Sequence, residues 1–581
     1  MKATSFDPYA RQATLAGIRH FWLNRRAFWW AVIFLMVVWA STQVGLWDRP
    51  LINPSGWALV VRLLNGLVHP RLDTTFLQLT LESMLVTLAY AVCGTVLSLL
   101  IGCIGGIFSS QIWWQAHQSR STTGSLKKLG RSSHWLAVRS LLAVPRAIHE
   151  VVWGLLFVSI LGLAPLAAVL AIAIPFGAIC AKVFSEILDE QPRGPFLALV
   201  NSGASPAKAF FYSLLPQALP NLISYAFYRF ECSIRSATVL GLIGAGGLGF
   251  QILLSLQSLR YEEMLPLLVA LFLLSGITDL WSARLRQHLG GASRIELNWS
   301  SASPQNEKSG QVIRKSSRFV RFSFATGLFL TLFSFLYLKP DLASLWSPRT
   351  VRLFSDIAQQ AFPPQLPPGG LGGITYLVLQ TLSISILAMT GAGILGMVAA
   401  FLGARLGWKQ RLQKKRAWGL FHMLIPFLTR GLLLLARAVP TPIWALICLF
   451  VLFPGVLPGA IALGIHNWGI AGRLMAESVE TMNEKPLQAL QGLGASNAQV
   501  ILFGTLPAAL PSFVAYILYR WENCLRETVI VGLVGAGGLG RLMSEQLSSF
   551  DYGGLFATLL VLIGLTFLVD LLSSSMRSAL R

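Results

Sequence analysis

The chain carries few charged residues, and acidic residues are especially scarce. Asp, Glu, Lys and Arg make up 12% of its 581 residues, whereas a soluble domain usually carries about 25%. Only 24 residues are acidic against 46 basic ones, and 54% of the chain is hydrophobic. Several apolar runs exceed the roughly 20 residues that a helix needs to cross a bilayer. The composition therefore excludes an ordinary soluble protein and indicates an all-α integral membrane protein.

Sequence patterns of enzymatic chemistry are also missing. No lysine follows a glycine anywhere in the chain, so it contains no GxxxxGK[ST] phosphate loop and no ATP site of that kind. HExxH and GxSxG patterns are absent as well. The cysteines lie in apolar segments without CxxC spacing, which predicts core residues and neither a disulfide nor a metal site; they are Cys93, Cys103, Cys180, Cys232, Cys448 and Cys524. We expect neither an enzyme nor a cofactor.

The chain repeats itself once. Residues 186–249 and 477–540 align without a gap at an offset of 291, and 26 of the 64 positions are identical. The register continues to the C-terminus, where Tyr261, Asp279 and Arg286 align with Tyr552, Asp570 and Arg577. A unit of this length is far longer than a solenoid repeat. It predicts two whole domains, packed about a pseudo-two-fold axis.

Each repeat contains six candidate spans, so both repeats have the same orientation in the membrane, as in a parallel duplication. We predict repeat 1 at 1–286, a polar linker at 287–317 and repeat 2 at 318–581. The spans are predicted at 28–47, 77–107, 140–160, 164–185, 222–245 and 264–283, and at 320–338, 374–402, 428–453, 457–476, 513–536 and 555–574.

Basic residues set the orientation of these spans. The stretches 108–139 and 403–430 carry five and seven Lys or Arg residues and no acid. Both stretches lie between the second and third spans, so that side is expected to be cytoplasmic. Both termini and the linker are then cytoplasmic too. The net charge of +22 reflects this topology, and we infer no nucleic-acid partner from it.

Between the fourth and fifth spans, each repeat interrupts its apolar pattern with the same polar segment. A short helical piece is followed by a glycine, a second helical piece and Leu-Pro, and Ser205 and Ser496 are expected N-caps of the second piece. The prolines of the Leu-Pro pairs, Pro216 and Pro507, are expected, together with Pro220 and Pro511, to end or kink the helix. The predicted coupling residues are Gly203, Ala204, Ser205, Leu215 and Pro216, with Gly494, Ala495, Ser496, Leu506 and Pro507 in repeat 2.

This spacing resembles the EAA loop of bacterial ABC importer permeases. The continuations YAFYRFECSIRSATVLGLIGAGGLGFQI and YILYRWENCLRETVIVGLVGAGGLGRLM resemble the permeases of phosphonate importers, and the resemblance covers about 140–286 and 431–577. The glutamate that opens the EAA pattern is replaced by Leu197 and Gln488, so contacts with an ATPase are expected to differ from the family pattern or between the two halves.

The resemblance implies a type I importer-like fold and separate subunits for the pore, for ATP hydrolysis and for solute binding. The chain would form the pore in a bacterial inner membrane, with the two permease halves fused. Two copies of a cytoplasmic ATPase would drive it, and an extracytoplasmic binding protein would deliver the solute. We therefore expect the pore subunit of an importer for phosphonate or a related phosphorus oxyanion.

Charged residues inside the fifth spans are candidates for the solute path. Glu231 and Arg235 match Glu522 and Arg526, and each pair has the i, i+4 spacing of an intrahelical ion pair. One interpretation is mutual neutralisation within the helix. The other is that Arg235 and Arg526 line the pore and meet an anion.

Glycine-rich segments follow the charged positions at the outer ends of the fifth spans. They permit either close helix packing or a hinge near an outer gate. The residues are Gly244, Gly246, Gly247 and Gly249, with Gly535, Gly537, Gly538 and Gly540 in repeat 2.

Two other classes remain open at this stage. A secondary transporter with six plus six spans explains the duplication but not the two EAA-like loops. Within ABC importers, phosphite, phosphate and methionine are alternative solutes. An intramembrane enzyme lacks any supporting motif.

The topology makes a direct prediction. A cysteine placed at Ser301 in the linker should resist an impermeant thiol reagent in intact cells and react after lysis. The reason is that the charge pattern places the linker in the cytoplasm. Labelling before lysis would reverse the predicted orientation.

Overall fold

The computed structural model describes residues 27–47, 50–116, 125–289, 318–367, 369–404, 416–482 and 485–580. Within these ranges the chain is almost entirely helical, and the only extended pairing is one isolated bridge between Ile52 and Leu452. Most of the predicted linker, from residue 290 to 317, lies outside the described residues. The helices confirm the predicted all-α class.

The two repeats present the same order of helices. In repeat 1 the helices are α1 (Ala27–Gln43), α2 (Trp57–Val68), α3 (Thr74–Ser109), α4 (Gln111–Ala116), α5 (Ser125–Ala147), α6 (Glu150–Leu161), α7 (Pro165–Asp189), α8 (Gly194–Asn201), α9 (Pro206–Ala209), α10 (Leu215–Leu240), α11 (Gly247–Gln257) and α12 (Met264–Leu289). In repeat 2 they are α13 (Arg318–Leu338), α14 (Pro348–Ala361), α15 (Gly370–Gly403), α16 (Arg416–Ala438), α17 (Thr441–Val451), α18 (Val456–Glu480), α19 (Lys485–Gly492), α20 (Asn497–Gln499), α21 (Leu506–Val531), α22 (Gly538–Ser548) and α23 (Tyr552–Leu580).

Most of the predicted spans correspond to one long helix each. Among the described residues, seven helices are long and apolar enough to cross a membrane, or up to ten if each bent pair is one span. The third span of each repeat is the exception. We expected continuous helices at 140–160 and 428–453, and this was wrong: α5 and α6 meet at 84°, and α16 and α17 at 96°.

The break in the third span has a local cause that differs between the repeats. In repeat 2, Pro440 precedes α17 with φ −61° and ψ 149°, and proline disfavours a helical residue before it. In repeat 1 the matching residue is His149, with φ −68° and ψ 146°. Its ring Nδ1 accepts a hydrogen bond from the backbone N–H of Val151 at 3.3 Å. The side-chain cap of His149 in repeat 1 is thus accompanied by nearly the same φ and ψ angles as Pro440 has in repeat 2.

Small residues bring the second and fourth spans together. A Cβ on Gly94, Gly102 or Gly106 of α3 would lie 2.4–2.7 Å from side-chain atoms of Ile172, Cys180 or Phe184 on α7. Lipid supplies no hydrophobic drive for helix association, so close backbone approach is the main source of packing energy. The α3–α7 pair, with its counterpart α15–α18, forms the scaffold against which the fifth span lies.

The first span of each repeat packs on the opposite repeat. Ala40 of α1 is fully buried in the hydrophobic core of repeat 2, and Trp29 and Met36 also pack against that core. Conversely, α13 packs against α3 and α12 of repeat 1, where Trp281 Nε1 donates to Ser323 Oγ at 3.0 Å. The two halves are therefore interlocked rather than merely adjacent.

This crossed packing predicts what happens when the chain is expressed as two separate polypeptides. Two polypeptides, 1–303 and 304–581, should copurify when expressed together, because each supplies the helix that covers the other. Either half expressed alone should fall several-fold in membrane abundance, measured by quantitative immunoblotting. A normal amount of the first half on its own would contradict the crossed packing.

Candidate translocation path and coupling segments

The predicted coupling segments form a helix, a glycine turn and a second helix in both repeats. The turn residues Gly203 and Gly494 have φ of +95° and +88°, a backbone conformation that glycine adopts without steric cost. A Cβ at either position would meet nothing within 4 Å. The requirement for glycine therefore comes from the backbone alone.

Serine side chains begin the second helix, as the sequence predicted. Ser205 Oγ accepts from the N–H of Lys208, and Ser496 Oγ from that of Gln499, both at 3.4 Å. In repeat 2 the Gln499 side chain also accepts from the N–H of Ser496 at 2.8 Å, which completes a capping box. Ala204 and Ala495 lie between each glycine and its cap.

The prolines do not end or kink the second helix, so that expectation was wrong. A π-turn at Phe210–Leu214 joins α9 to α10, and one at Val500–Thr505 joins α20 to α21. The wider turn makes room for the proline ring of the Leu-Pro pair, which has no N–H to donate and crowds the preceding turn. Each coupling turn is therefore continuous with a fifth-span helix that begins at Leu215–Pro216 or Leu506–Pro507.

The coupling segments expose large apolar side chains. In repeat 1, Leu197 and Tyr212 are 51% and 79% exposed; in repeat 2, Leu493 and Phe503 are 85% and 71% exposed. Leu197 stands where the EAA pattern has glutamate. An apolar surface of this kind at the end of a polar loop is typical of a protein interface.

At the other end of the fifth spans, the glycine-rich segments form turns with left-handed backbone. Gly244, Gly246 and Gly247 have φ between +76° and +96°, and α11 leaves α10 at 56°. The new helix is anchored where Thr87 Oγ1 accepts from the N–H of Leu248 at 2.9 Å. In repeat 2 the same turn has φ between +70° and +98°; its residues are Gly535, Gly537 and Gly538.

The last glycine of each segment has a different role. A Cβ on Gly249 would lie 1.8 Å from the carbonyl oxygen of Thr238, and one on Gly540 would lie 2.4 Å from that of Val529. These two positions need glycine for close packing of α11 on α10 and of α22 on α21. Close packing thus explains Gly249 and Gly540, and a hinge at the other glycines stays a prediction.

An ion cluster links the repeats beside the fifth span of repeat 1. Arg437 of α16 donates to Glu231 of α10 at 3.1 Å and to Asp279 of α12 at 2.9 Å. Arg473 of α18 donates to the same Asp279 carboxylate at 2.6 Å. Arg235 lies 3.9 Å from Glu231, so the predicted intrahelical pair exists but is weaker than the contact across the interface.

The corresponding pair in repeat 2 was predicted wrongly. Glu522 does not bind Arg526; it accepts from Arg577 of α23 at 2.5 Å. Arg526 instead donates to the backbone oxygen of Arg146, in repeat 1, at 2.8 Å and to the side chain of Asn523. The i, i+4 rule considers one helix, whereas in a bundle a neighbouring helix can present a closer partner.

A small cavity of about 10 Å³, roughly the room for one water molecule, adjoins the cluster. It lies between the repeats and is lined by Glu231, Arg235, Ser275, Leu434, Arg437 and Ala438. The structure thus brings two predicted path residues, Arg235 and Glu231, to one cavity. The structure also shows Arg437 and Asp279 in the ion cluster, which sequence reasoning did not single out. Their only signal in the sequence was that both residues occur at the same position of each repeat.

A second polar network lies on the fifth span of repeat 2. Asn467 Oδ1 accepts from Arg520 at 2.6 Å, and Glu527 accepts from Arg520 at 3.0 Å and from Asn467 at 3.1 Å. His466 Nδ1 lies 3.3 Å from the backbone oxygen of Val439. The network buries an arginine in apolar surroundings by satisfying it with a carboxylate and an amide.

Repeat 1 lacks this network although it keeps the arginine. Phe176 and Ser236 occupy the positions of Asn467 and Glu527, and the guanidinium of Arg229 lies 3.8 Å from the centre of the Phe176 ring. Ser236 donates to Glu150 at 2.7 Å. The two arginines are therefore buried by different means, a difference that only residue-by-residue comparison of the repeats would suggest.

Comparison with known families identifies the family to which the chain belongs. The family described as binding-protein-dependent transport system inner membrane component matches residues 132–290 and 424–580, which is more than half of the chain. The chain belongs to this family and carries its domain twice. Membership confirms the prediction of a fused ABC importer permease. It argues against the alternative of a secondary transporter. Permeases of this family are transport components that work with a binding protein.

Several relatives are named for phosphorus oxyanions. The chain is 26% identical over 531 residues to the phosphate-import permease protein PhnE of Mycolicibacterium smegmatis, covering 90% of this chain and 89% of that protein. It is 33% identical over 221 residues to the phosphite transport system permease protein PtxC of Stutzerimonas stutzeri, covering 38% and 75%. A putative cryptic phosphonate transport system permease of Escherichia coli is 35% identical over 117 residues, covering 20% and 96%.

The turn glycines yield a test. Replacing Gly203 or Gly494 by valine should lower transport while the chain still reaches the membrane, because left-handed backbone costs an L-residue about 1–2 kcal/mol. Gly492→Ala is the matched control, since Gly492 is helical and a Cβ there meets nothing within 4 Å. Transport and membrane abundance should be measured together. Unchanged transport in both valine variants would argue against a coupling role.

Proposed function

We propose that the chain is the pore subunit of an ABC importer for phosphonate or a related phosphorus oxyanion. The observation that carries the proposal is the similarity to permeases named for phosphate, phosphite and phosphonate, one of which aligns over 90% of this chain. The alternative solute within the same transporter class is methionine.

The charges between the repeats support an anionic solute. Arg235 lines one cavity with the hydroxyl-bearing Ser275, beside the Arg437–Glu231 contact. Guanidinium groups match the geometry of tetrahedral oxyanions, and a buried or half-buried arginine is worth more than one in water. Glu231 offsets part of this charge, so that an anion is attracted without being held permanently.

The coupling segments support two ATPase copies. One exposed apolar turn emerges from each repeat, and each is continuous with a fifth-span helix. Docking of one ATPase on each turn would pass its movement along α10 or α21. Because Leu197 and Gln488 replace the family glutamate by different side chains, we propose that the two turns dock unequally.

The remaining assignments follow from this model. The chain lies in a bacterial inner membrane with both termini in the cytoplasm, and 287–317 connects repeats at 1–286 and 318–581. A binding protein delivers the oxyanion to the outer face. The glycine turns there, at the ends of α10 and α21, form the outer gate.

Reconstitution tests the function directly. The chain should copurify with the ATPase and, with the binding protein in proteoliposomes, drive ATP-dependent uptake of labelled phosphate, phosphite or methylphosphonate. The chain alone should hydrolyse no ATP. Uptake of methionine but none of the oxyanions would overturn the substrate class, and turnover of ATP by the isolated chain would overturn the division of labour.

Arg235 gives a residue-level prediction. Arg235→Gln should reduce oxyanion uptake roughly tenfold, since a hydrogen bond to a charged group contributes about 1.5–3 kcal/mol. The Arg437–Glu231 contact is retained in this variant, so assembly with the ATPase should persist. Arg541→Gln is the control, because Arg541 is 64% exposed and pairs only locally with Glu545. Normal uptake by the Arg235 variant would remove this residue from the path.

A further inference from the structure

The duplication supplies the same set of charges to two interfaces between the repeats. Six positions are paired by the offset of 291, and five of them carry identical residues. The pairs are Arg146 with Arg437, Lys182 with Arg473, Glu186 with Glu477, Glu231 with Glu522, Asp279 with Asp570, and Arg286 with Arg577. The two interfaces can therefore be compared position by position.

At the first interface, the guanidinium of Arg437 forms ion pairs with two carboxylates. Arg437 contacts Glu231 and Asp279 of the opposite repeat, and its side chain is 6% exposed. Arg473 adds a second cation on Asp279 and also binds Glu477 at 2.8 Å. An additional anion would have to displace one of these acids.

At the second interface, Glu522 and Glu186 are held within their own repeats, whereas Asp570 makes no ion pair within 4 Å among the described residues and lies within electrostatic range of Arg146. Glu522 accepts from Arg577 at 2.5 Å, and Glu186 lies 3.9 Å from Lys182 on the same helix. Arg146, the counterpart of Arg437, has no side-chain hydrogen bond or ion pair within 4 Å to any residue in the part of the chain that the structure describes. Its backbone oxygen accepts from Arg526.

Both cations and acids lie near this guanidinium. Arg146 lies within electrostatic range of Arg526 and Lys182 as well as of Asp570 and Glu186. Lys182 and Glu186 are 51% and 40% exposed on an otherwise apolar helix. Charges in membrane helices face water or protein rather than lipid, so we infer that water reaches this side of α7.

We propose that Arg146, with Lys182 and Arg526 beside it, is an oxyanion-binding station on the solute path. Arg437 is the equivalent residue at the first interface, where two carboxylates already bind the guanidinium. The station takes a tetrahedral phosphorus oxyanion, which gives Arg146 the close anionic contacts that Glu231 and Asp279 give Arg437. Only the identity of the anion rests on the proposed function; the vacant cationic site rests on the difference between the two interfaces.

Matched substitutions test the station. Arg146→Gln should leave the complex assembled and reduce oxyanion uptake about tenfold, with a raised KM, because a charge-assisted contact is lost. Arg146→Lys should retain part of the uptake. Arg437→Gln should instead lower the amount of assembled complex, because it leaves Glu231 and Asp279 buried without their shared partner. Normal uptake by Arg146→Gln, or loss of assembly in that variant, would overturn the proposal.

A second readout does not depend on transport. On a Cys103→Ser background, Glu186→Cys places a thiol one turn from Lys182, and Glu477→Cys is the matched thiol at the Arg437 interface. In inverted membrane vesicles containing the full complex, inorganic phosphate or methylphosphonate should slow maleimide labelling of the first thiol only, relative to chloride at equal ionic strength. Equal protection of both thiols, or of neither, would reject the station.

The two proposals can fail separately. Protection of the thiol at 186 by phosphate, in a complex that imports no phosphorus oxyanion, would keep the station and reject the proposed function. Uptake by the wild-type complex together with normal uptake by Arg146→Gln would keep the function and reject the station.

Discussion

The interaction on which the arrangement of the two repeats depends is the sharing of Arg437 between Glu231 and Asp279. All three side chains are largely buried, and the arginine comes from one repeat while both acids come from the other. A buried charge that loses its partner is strongly destabilising, by roughly 3–5 kcal/mol. The cluster therefore fixes the register of α16 against α10 and α12 more firmly than apolar packing, which lipid can replace.

The second interface shows what the same residues do without that contact. Glu522 binds Arg577 in its own repeat, and the Arg146 side chain makes no ion pair within 4 Å in the described part of the chain. The chain thus presents two arrangements of one set of charges. In a dimer of identical half-sized permeases both interfaces would carry the same sequence, whereas fusion lets them diverge. Lys182 in place of Arg473 is one such divergence, because an ammonium cannot bridge two carboxylates through a planar fork as a guanidinium does.

Divergence between the repeats is also visible where the backbone is the same. His149 and Pro440 differ in chemistry, yet both end a helix with nearly equal φ and ψ. Arg229 and Arg520 are the same residue, yet one lies against a phenylalanine ring and the other binds a glutamate and an asparagine. The first pair keeps the same backbone by different means. The second does not compensate the charge equally, because two nitrogens of the Arg229 guanidinium are buried without a hydrogen-bond partner.

The amino-acid sequence by itself determined the membrane class, the duplication, the coupling turns with their serine caps, and the family. These properties depend on composition, on local hydrogen bonding and on an internal offset, all of which can be read along the chain. Only the tertiary structure decided that the third spans are bent, that the first spans cross to the opposite repeat, and that Glu231 binds Arg437 while Glu522 binds Arg577. The i, i+4 spacing was present in both fifth spans and predicted one pairing for both. The choice between partners on different helices depends on distances set by packing, and sequence separation carries no information about those distances.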